Sequence, residues 1–224
     1  FTSRNSKTDL LNENITDDRL RVVNFGMAYD FVDRFRGVNL FSLDLSKGIN
    51  FMDASDPGGP KLSRADGRSD FTKLSGDILR LQELGLGWSL LTGISWQYAF
   101  DALLSSEEFG LGGPQYVRAY DPSEVTGDHG IAFKFELQKG IKAHWLYLRS
   151  FQYYLYFDHG TIALRNKTAV QDDSSSLTAS GLGLRANINE WLSGYIEVGL
   201  PMSGDVDAEG DNDPRFFFSL NARY

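Results

Sequence analysis

Arg215-Phe216-Phe217-Phe218-Ser219-Leu220-Asn221-Ala222-Arg223-Tyr224 closes the chain, and its period of two decides the fold. Phe216, Phe218, Leu220, Ala222 and Tyr224 fall on one face of a strand; Phe217, Ser219, Asn221 and Arg223 fall on the other. A strand with one large apolar face and one polar face divides an apolar phase from a wet one.

The same alternation recurs upstream. Leu192, Ile196, Val198 and Leu200 oppose Ser193, Tyr195 and Glu197, and Leu182, Leu184, Ala186 and Ile188 oppose Gly181, Gly183, Arg185 and Asn187. Tyr153, Leu155 and Phe157 oppose Gln152, Tyr154, Tyr156 and Asp158; Ile131, Phe133 and Phe135 oppose Ala132, Lys134 and Glu136. Trp88, Ile94 and Trp96 oppose Ser89, Gly93 and Ser95; Phe41, Leu43 and Leu45 oppose Ser42, Asp44 and Ser46; Phe25, Met27 and Tyr29 oppose Asn24, Gly26 and Ala28. Residues 70–82 assign no face, because Lys73, Asp77 and Arg80 interrupt Leu74 and Ile78. The count is about nine strands of roughly ten residues, the length a tilted strand needs to cross a bilayer.

Connections alternate in length. Residues 32–36, 83–86 and 189–190 are tight, while 47–69, 100–128, 159–175 and 202–214 are long and polar or Gly-rich; 142–148 extend the strand that follows. That rhythm is the layout of an outer-membrane barrel. A soluble β-sandwich or ligand-binding barrel also alternates. The bulky, charged polar faces fit a wide wet lumen better than a dry centre.

Composition agrees. Hydrophobic residues make up 42% of 224, with 16 Phe, 10 Tyr and 23 Gly. Mean hydropathy is slightly negative, and no apolar run reaches the ~18 residues of a membrane helix. Cysteine is absent, so no thiolate chemistry is available. A net charge of −8 argues against a nucleic-acid partner. Much of that acid lies in the proposed loops, including Asp172, Asp173 and the run from Asp205 to Asp213. Residues 1–20 lack the apolar core of a signal peptide. His129, His144 and His159 have no metal-cluster spacing, and no Gly-x-Ser-x-Gly elbow is present. Trp88, Trp96 and Trp191 suit membrane interfaces.

Residues 109–130 read Phe-Gly-Leu-Gly-Gly-Pro-Gln-Tyr-Val-Arg-Ala-Tyr-Asp-Pro-Ser-Glu-Val-Thr-Gly-Asp-His-Gly. Gly112, Gly113 and Pro114 describe a tightly folded loop. Read on residues alone, Arg118 is a solvated loop arginine, or, if confined, one that needs a carboxylate. Asp158 is the candidate, on the polar face of its strand, with Gly160 leaving room for an incoming backbone.

The run Gly112-Gly113-x-x-x-Val117-Arg118-Ala119-Tyr120, followed by Gly127-Asp128, resembles the long-loop signature of two-partner secretion transporters, the haemolysin-activator proteins within the superfamily of POTRA-bearing outer-membrane barrels. Tyr156-Phe157-Asp158-His159-Gly160 is similar to that family's Phe-x-Asp-x-Gly wall motif, with Tyr156 for Phe. The ending with Phe216, Phe218, Leu220 and Tyr224 looks like its closing strand. The resemblance implies an all-β, antiparallel transmembrane β-barrel of sixteen strands in the bacterial outer membrane, of which this chain supplies the C-terminal portion. Residues 1–18 would then be a surface loop and the end of a preceding strand, and 19–224 barrel, with 100–128 folded into the lumen. It implies that Arg118 pairs with Asp158, that the last strand is read by the barrel-assembly machinery, and that no cofactor, metal or catalytic residue is involved. The implied activity is export of a large exoprotein passenger of haemolysin or adhesin type, in contact with outer-membrane lipid. A barrel-assembly insertase and a passive diffusion porin are the other readings. The family carries Gly where this chain has Ala119; a positive φ there would cost Ala about 1 kcal/mol.

Overall fold

The structure is a computed structural model that describes residues 1–11, 13–145, 148–165 and 174–223. Ten strands form one antiparallel sheet, each paired with its sequence neighbours. They are β1 (Thr2–Leu10), β2 (Glu13–Val32), β3 (Gly37–Gly48), β4 (Thr72–Gly85), β5 (Trp88–Ala99), β8 (His129–Trp145), β9 (Leu148–Ala163), β10 (Ser174–Asn187), β11 (Leu192–Pro201) and β12 (Arg215–Ala222). Between β5 and β8 a small hairpin, β6 (Phe109–Leu111) and β7 (Val125–Gly127), forms a separate two-stranded sheet. The edges of the large sheet, β1 and β12, do not pair with each other among the described residues.

Burial labels the faces. Leu155, Phe157, Leu182, Ile196, Phe216 and Phe218 are exposed, Phe218 by 83%. Their neighbours Tyr154, Tyr156, Asp158 and Glu197 are buried. Cross-strand registers carry each face from strand to strand: Lys134 lies opposite Gly93 and Asp158, and Asp158 opposite Ala179. The large apolar side chains thus point away from the polar, loop-filled side. A continuous apolar belt of this extent requires a nonaqueous partner, as the outer wall of a lipid-embedded barrel does. A soluble sandwich would bury that belt.

Four sequence expectations change. The sheet has ten strands, not nine, because Thr2–Leu10 pairs in full register with β2; residues 1–18 are mostly strand instead of loop. Residues 142–145 lengthen β8, not the following strand. The segment expected as a loop from 159 is strand as far as Ala163, where Thr161 and Ile162 favour the extended chain and pair with β8 and β10. The inner face is not uniformly polar: the registers place Val38, Leu40, Leu79, Leu81 and Leu91 on it, toward the tight turns. On β4, Ile78 and Arg80 share the outer face, opposite Phe41 and Asn39.

The core does not fill a barrel axis. It lies where the long loops press on the inner wall. Leu111, Val117, Ala119 and Tyr120 of the long loop pack on Ala132, Ile162, Leu177 and Ala179 of the wall, with Val206 from the last loop. Leu103 and Leu104 pack with Leu20, Val22, Phe71 and Ala99, with Leu62 beside them. Burial of the Val, Leu, Ile and Phe side chains among these, worth about 1.5–3 kcal/mol each, holds the loops inside.

Candidate functional site

Residues 100–128 enter the lumen as a hairpin. Its legs are β6 and β7, with Phe109 opposite Gly127 and Leu111 opposite Val125. Wall glycines clear the way: a Cβ on Gly160 would lie 2.5 Å from Leu111, and one on Gly130 would lie 2.1 Å from Phe109. Gly112 and Gly113 adopt φ of +106° and +91°. A Cβ on Gly112 would strike the Asp121 carbonyl oxygen at 2.0 Å. The tip then closes through Gly113 N–H to Tyr120 O (3.0 Å) and Tyr120 N–H to Val117 O (3.1 Å). Ala119 has no positive φ; the left-handed non-glycine residues of the loop are Val117, at +60°, and Ser123, at +58°. A β-branched residue is held there only when its surroundings over-determine it, and Val117 is fully buried.

This geometry delivers Arg118 to the wall. Its Nε donates to Asp158 Oδ2 at 2.8 Å, its Nη2 to Asp158 Oδ1 at 3.0 Å, and its backbone N–H to Oδ2 at 3.3 Å. The contact is a two-pronged fork, the strongest arrangement an arginine and a carboxylate form. Nη1 donates to Glu136 Oε2, and the guanidinium lies 3.8 Å from the Tyr156 ring centre. Arg118 is 8% exposed, Asp158 0% and Glu136 1%. Burial disfavours the charge on Arg118, but Asp158 and Glu136 outweigh it and raise its pKa above the ordinary arginine value. Tyr116, beside it on the tip, stacks under Lys134 at 4.6 Å; burial pushes its phenol up to about 12.

The cluster extends to residues outside the motif. Arg185 forks Glu136 at 2.5 and 3.1 Å and stacks on Tyr154 at 3.8 Å. Tyr154 donates to Glu197 at 2.7 Å, and Glu197 stands 4.0 Å from Arg118. Two arginines therefore face three carboxylates across β8, β9, β10 and β11. Glu136, Tyr154, Arg185 and Glu197 each sat on the polar face of an alternating strand, but nothing in the linear sequence gave their height in the barrel. Beside them a cleft of about 430 Å³ is lined by Arg118, Tyr120, Tyr154, Arg185, Tyr195 and Phe217.

Tyr120 is anchored separately. Its hydroxyl donates to Gly204 O at 3.2 Å and accepts from Ser203 N–H at 3.2 Å. Gly127, at the loop's base, pairs with Phe109, and Asp128 after it belongs to a different cluster. Asp128 is fully buried and accepts from Arg64 Nη1 (2.7 Å), Leu103 N–H (2.6 Å) and Arg165 N–H (2.8 Å). It so joins three long connections. Glu108 also bonds Arg64, at 3.0 Å; burial raises its pKa. Phe216, Phe218 and Leu220 lie on the exposed outer face of β12, away from the loop. Tyr224 falls outside the described residues, as do Asp172, Asp173 and the side chain of His144. Among the described residues no group of three His, Asp or Glu side chains is placed to hold a metal.

A sequence comparison with curated proteins gives no match. Among solved structures, the fold is similar to that of CdiB from Escherichia coli, with a TM-score of 0.75 and 18% identity over 92% of this chain. The chain spans 37% of that protein's length, and at this identity the likeness is one of fold. The family model described as haemolysin secretion/activation protein ShlB/FhaC/HecB matches residues 2–186, which include both the lumenal loop and the Asp158 wall strand. The chain therefore belongs to the haemolysin secretion/activation protein ShlB/FhaC/HecB family of outer-membrane β-barrels.

Proposed function

We propose that this chain is part of a pore that moves a large partner exoprotein, of haemolysin or adhesin type, across the outer membrane in two-partner secretion. The supporting observation is the buried grip of Asp158 and Glu136 on Arg118, which holds a surface loop inside the lumen where a passing chain would meet it. The polar stretches of the inner wall offer an unfolded polypeptide hydrogen-bonding partners along its path. The sequence carries no phosphate-binding loop, so the direction of transit would come from the passenger folding outside. The exposed outer row Phe216, Phe218 and Leu220 meets lipid and, with Tyr224, serves as the signal read by the assembly machinery.

The test replaces Arg118 with Ala in the full-length protein. Secretion of the passenger encoded with it should fall at least tenfold while the barrel still reaches the outer membrane. Normal secretion would reject the role given to the loop.

A further inference from the structure

A second grip holds the loop's return leg, and it shares no side-chain partner with Arg118. Arg215 opens β12, across from Gly199 of β11. Its Nη1 donates to Ala119 O at 3.2 Å, and its Nη2 to Asp121 Oδ1 at 2.8 Å. Glu209, on the loop between β11 and β12, stands 3.2 Å from the same Nη2.

The two grips differ in solvation. Asp158 and Glu136 are dry, whereas the Asp121 and Glu209 side chains are 39% and 45% exposed. Salt screens a half-exposed pair and scarcely reaches a buried one. Arg215 also holds Glu209 at 3.2 Å, so parting from Asp121 would not leave it an unpaired charge. Arg118 has no such freedom: Glu136 would keep Arg185, but every route out strands the fully buried Asp158.

We propose that Arg215 is a positioning residue that acts as a releasable latch. It fastens residues 119–121 to β12, and keeps Glu209 as its partner when the return leg lifts, while Arg118 remains the fixed hinge. The latch deepens the export reading by naming the part of the loop that moves. Its test leaves secretion aside, so that the two can fail separately.

The measurement is amide hydrogen exchange across residues 113–122 of the full-length protein in lipid vesicles. Arg215→Ala should speed exchange there about three- to fivefold, the effect of losing a partly exposed pair, with residues 131–137 unchanged. Raising salt from roughly 0.05 M to about 1 M should do the same to the unaltered protein and nothing more to the variant. The swap of Arg215→Asp with Asp121→Arg should restore slow exchange. Asp121→Asn leaves β12 intact and gives the same reading if Arg215→Ala fails to assemble. Unchanged exchange in Asp121→Asn, or a salt response that survives in Arg215→Ala, overturns the latch.

Discussion

Ala119 rests on the bare backbone of Gly199: a Cβ built on that glycine would lie 3.0 Å from the Ala119 Cβ and 2.8 Å from the Tyr156 hydroxyl. The lumenal loop is thus seated by a missing side chain as well as by charge. Gly199→Val should lift the tip off the wall. A cysteine in place of Ala132, fully buried beneath the loop, should then react with maleimide at least tenfold faster. An unaltered labelling rate would show that the seat is not Gly199.

Tyr156 couples to the same contact. Its ring supports the Arg118 guanidinium, while its buried hydroxyl has no hydrogen-bond partner among the described residues. Tyr156→Phe keeps the ring and removes an oxygen that contributes no bond, so loop placement should hold. The oxygen also crowds position 199. Gly199→Ala should therefore cost less stability in the Tyr156→Phe background than alone, by about 0.5 kcal/mol or more. Additive melting shifts in the double variant would refute the coupling.

Stability and positioning separate at Arg118. Arg118→Met strands the buried Asp158, while Glu136 keeps Arg185; the loss should be about 3–5 kcal/mol. Adding Asp158→Asn removes the stranded charge and should return part of that stability in denaturant unfolding. Secretion should stay low, because the loop is still unheld. Recovery of both together would reduce Arg118 to a structural residue.

Asp128 organises the loop's base, so its loss should act elsewhere. Asn keeps one acceptor oxygen but turns an N–H₂ group toward donors that need an acceptor. In Asp128→Asn, protease cleavage within 47–69 and 100–108 should accelerate several-fold, with the Arg118 contacts intact. Equal cleavage rates would mean that the apolar cluster around Leu103 and Leu104 carries those loops alone.

Parity made the fold legible. Phe216 and Phe218 announce an outer face because nothing polar shares it, and the exposed row on β12 is that face. β4 resisted the same reading for a physical reason. Leu79 and Leu81 face inward, and Arg80 faces outward to bond Asp33 and Asn39. Polarity therefore does not sort that strand. In the site, the resemblance to the family's motifs singled out Arg118 and Asp158, but Glu136 and Arg185 join them only through register. Glu136 lies opposite Tyr156, and Arg185 opposite Gln152, and register is set by turns and bulges that the alternation does not encode. The backbone strain expected at Ala119 sits two residues earlier, at Val117, because the tip turns there.

The tight turn between β2 and β3 should carry a pH signature of its own. Asp33 accepts from Arg80 at 2.6 Å and from the Phe35 and Gly37 N–H groups at 2.9 Å each. The Arg80 contact, then the backbone donors, lower its pKa from 3.8 to about 2. A carboxylate whose pKa is depressed on folding favours the folded turn above its unfolded value and loses that effect as pH falls through the folded one. Asp33→Asn should therefore be less stable than the unaltered protein near neutral pH. The gap should close between about 3.8 and about 2. Because the turn is open to water, salt should narrow the gap as well. Melting midpoints of the two proteins across that range check it. A gap that stays constant with pH would mean that Asp33 acts through its shape and backbone contacts, and that its charge is idle.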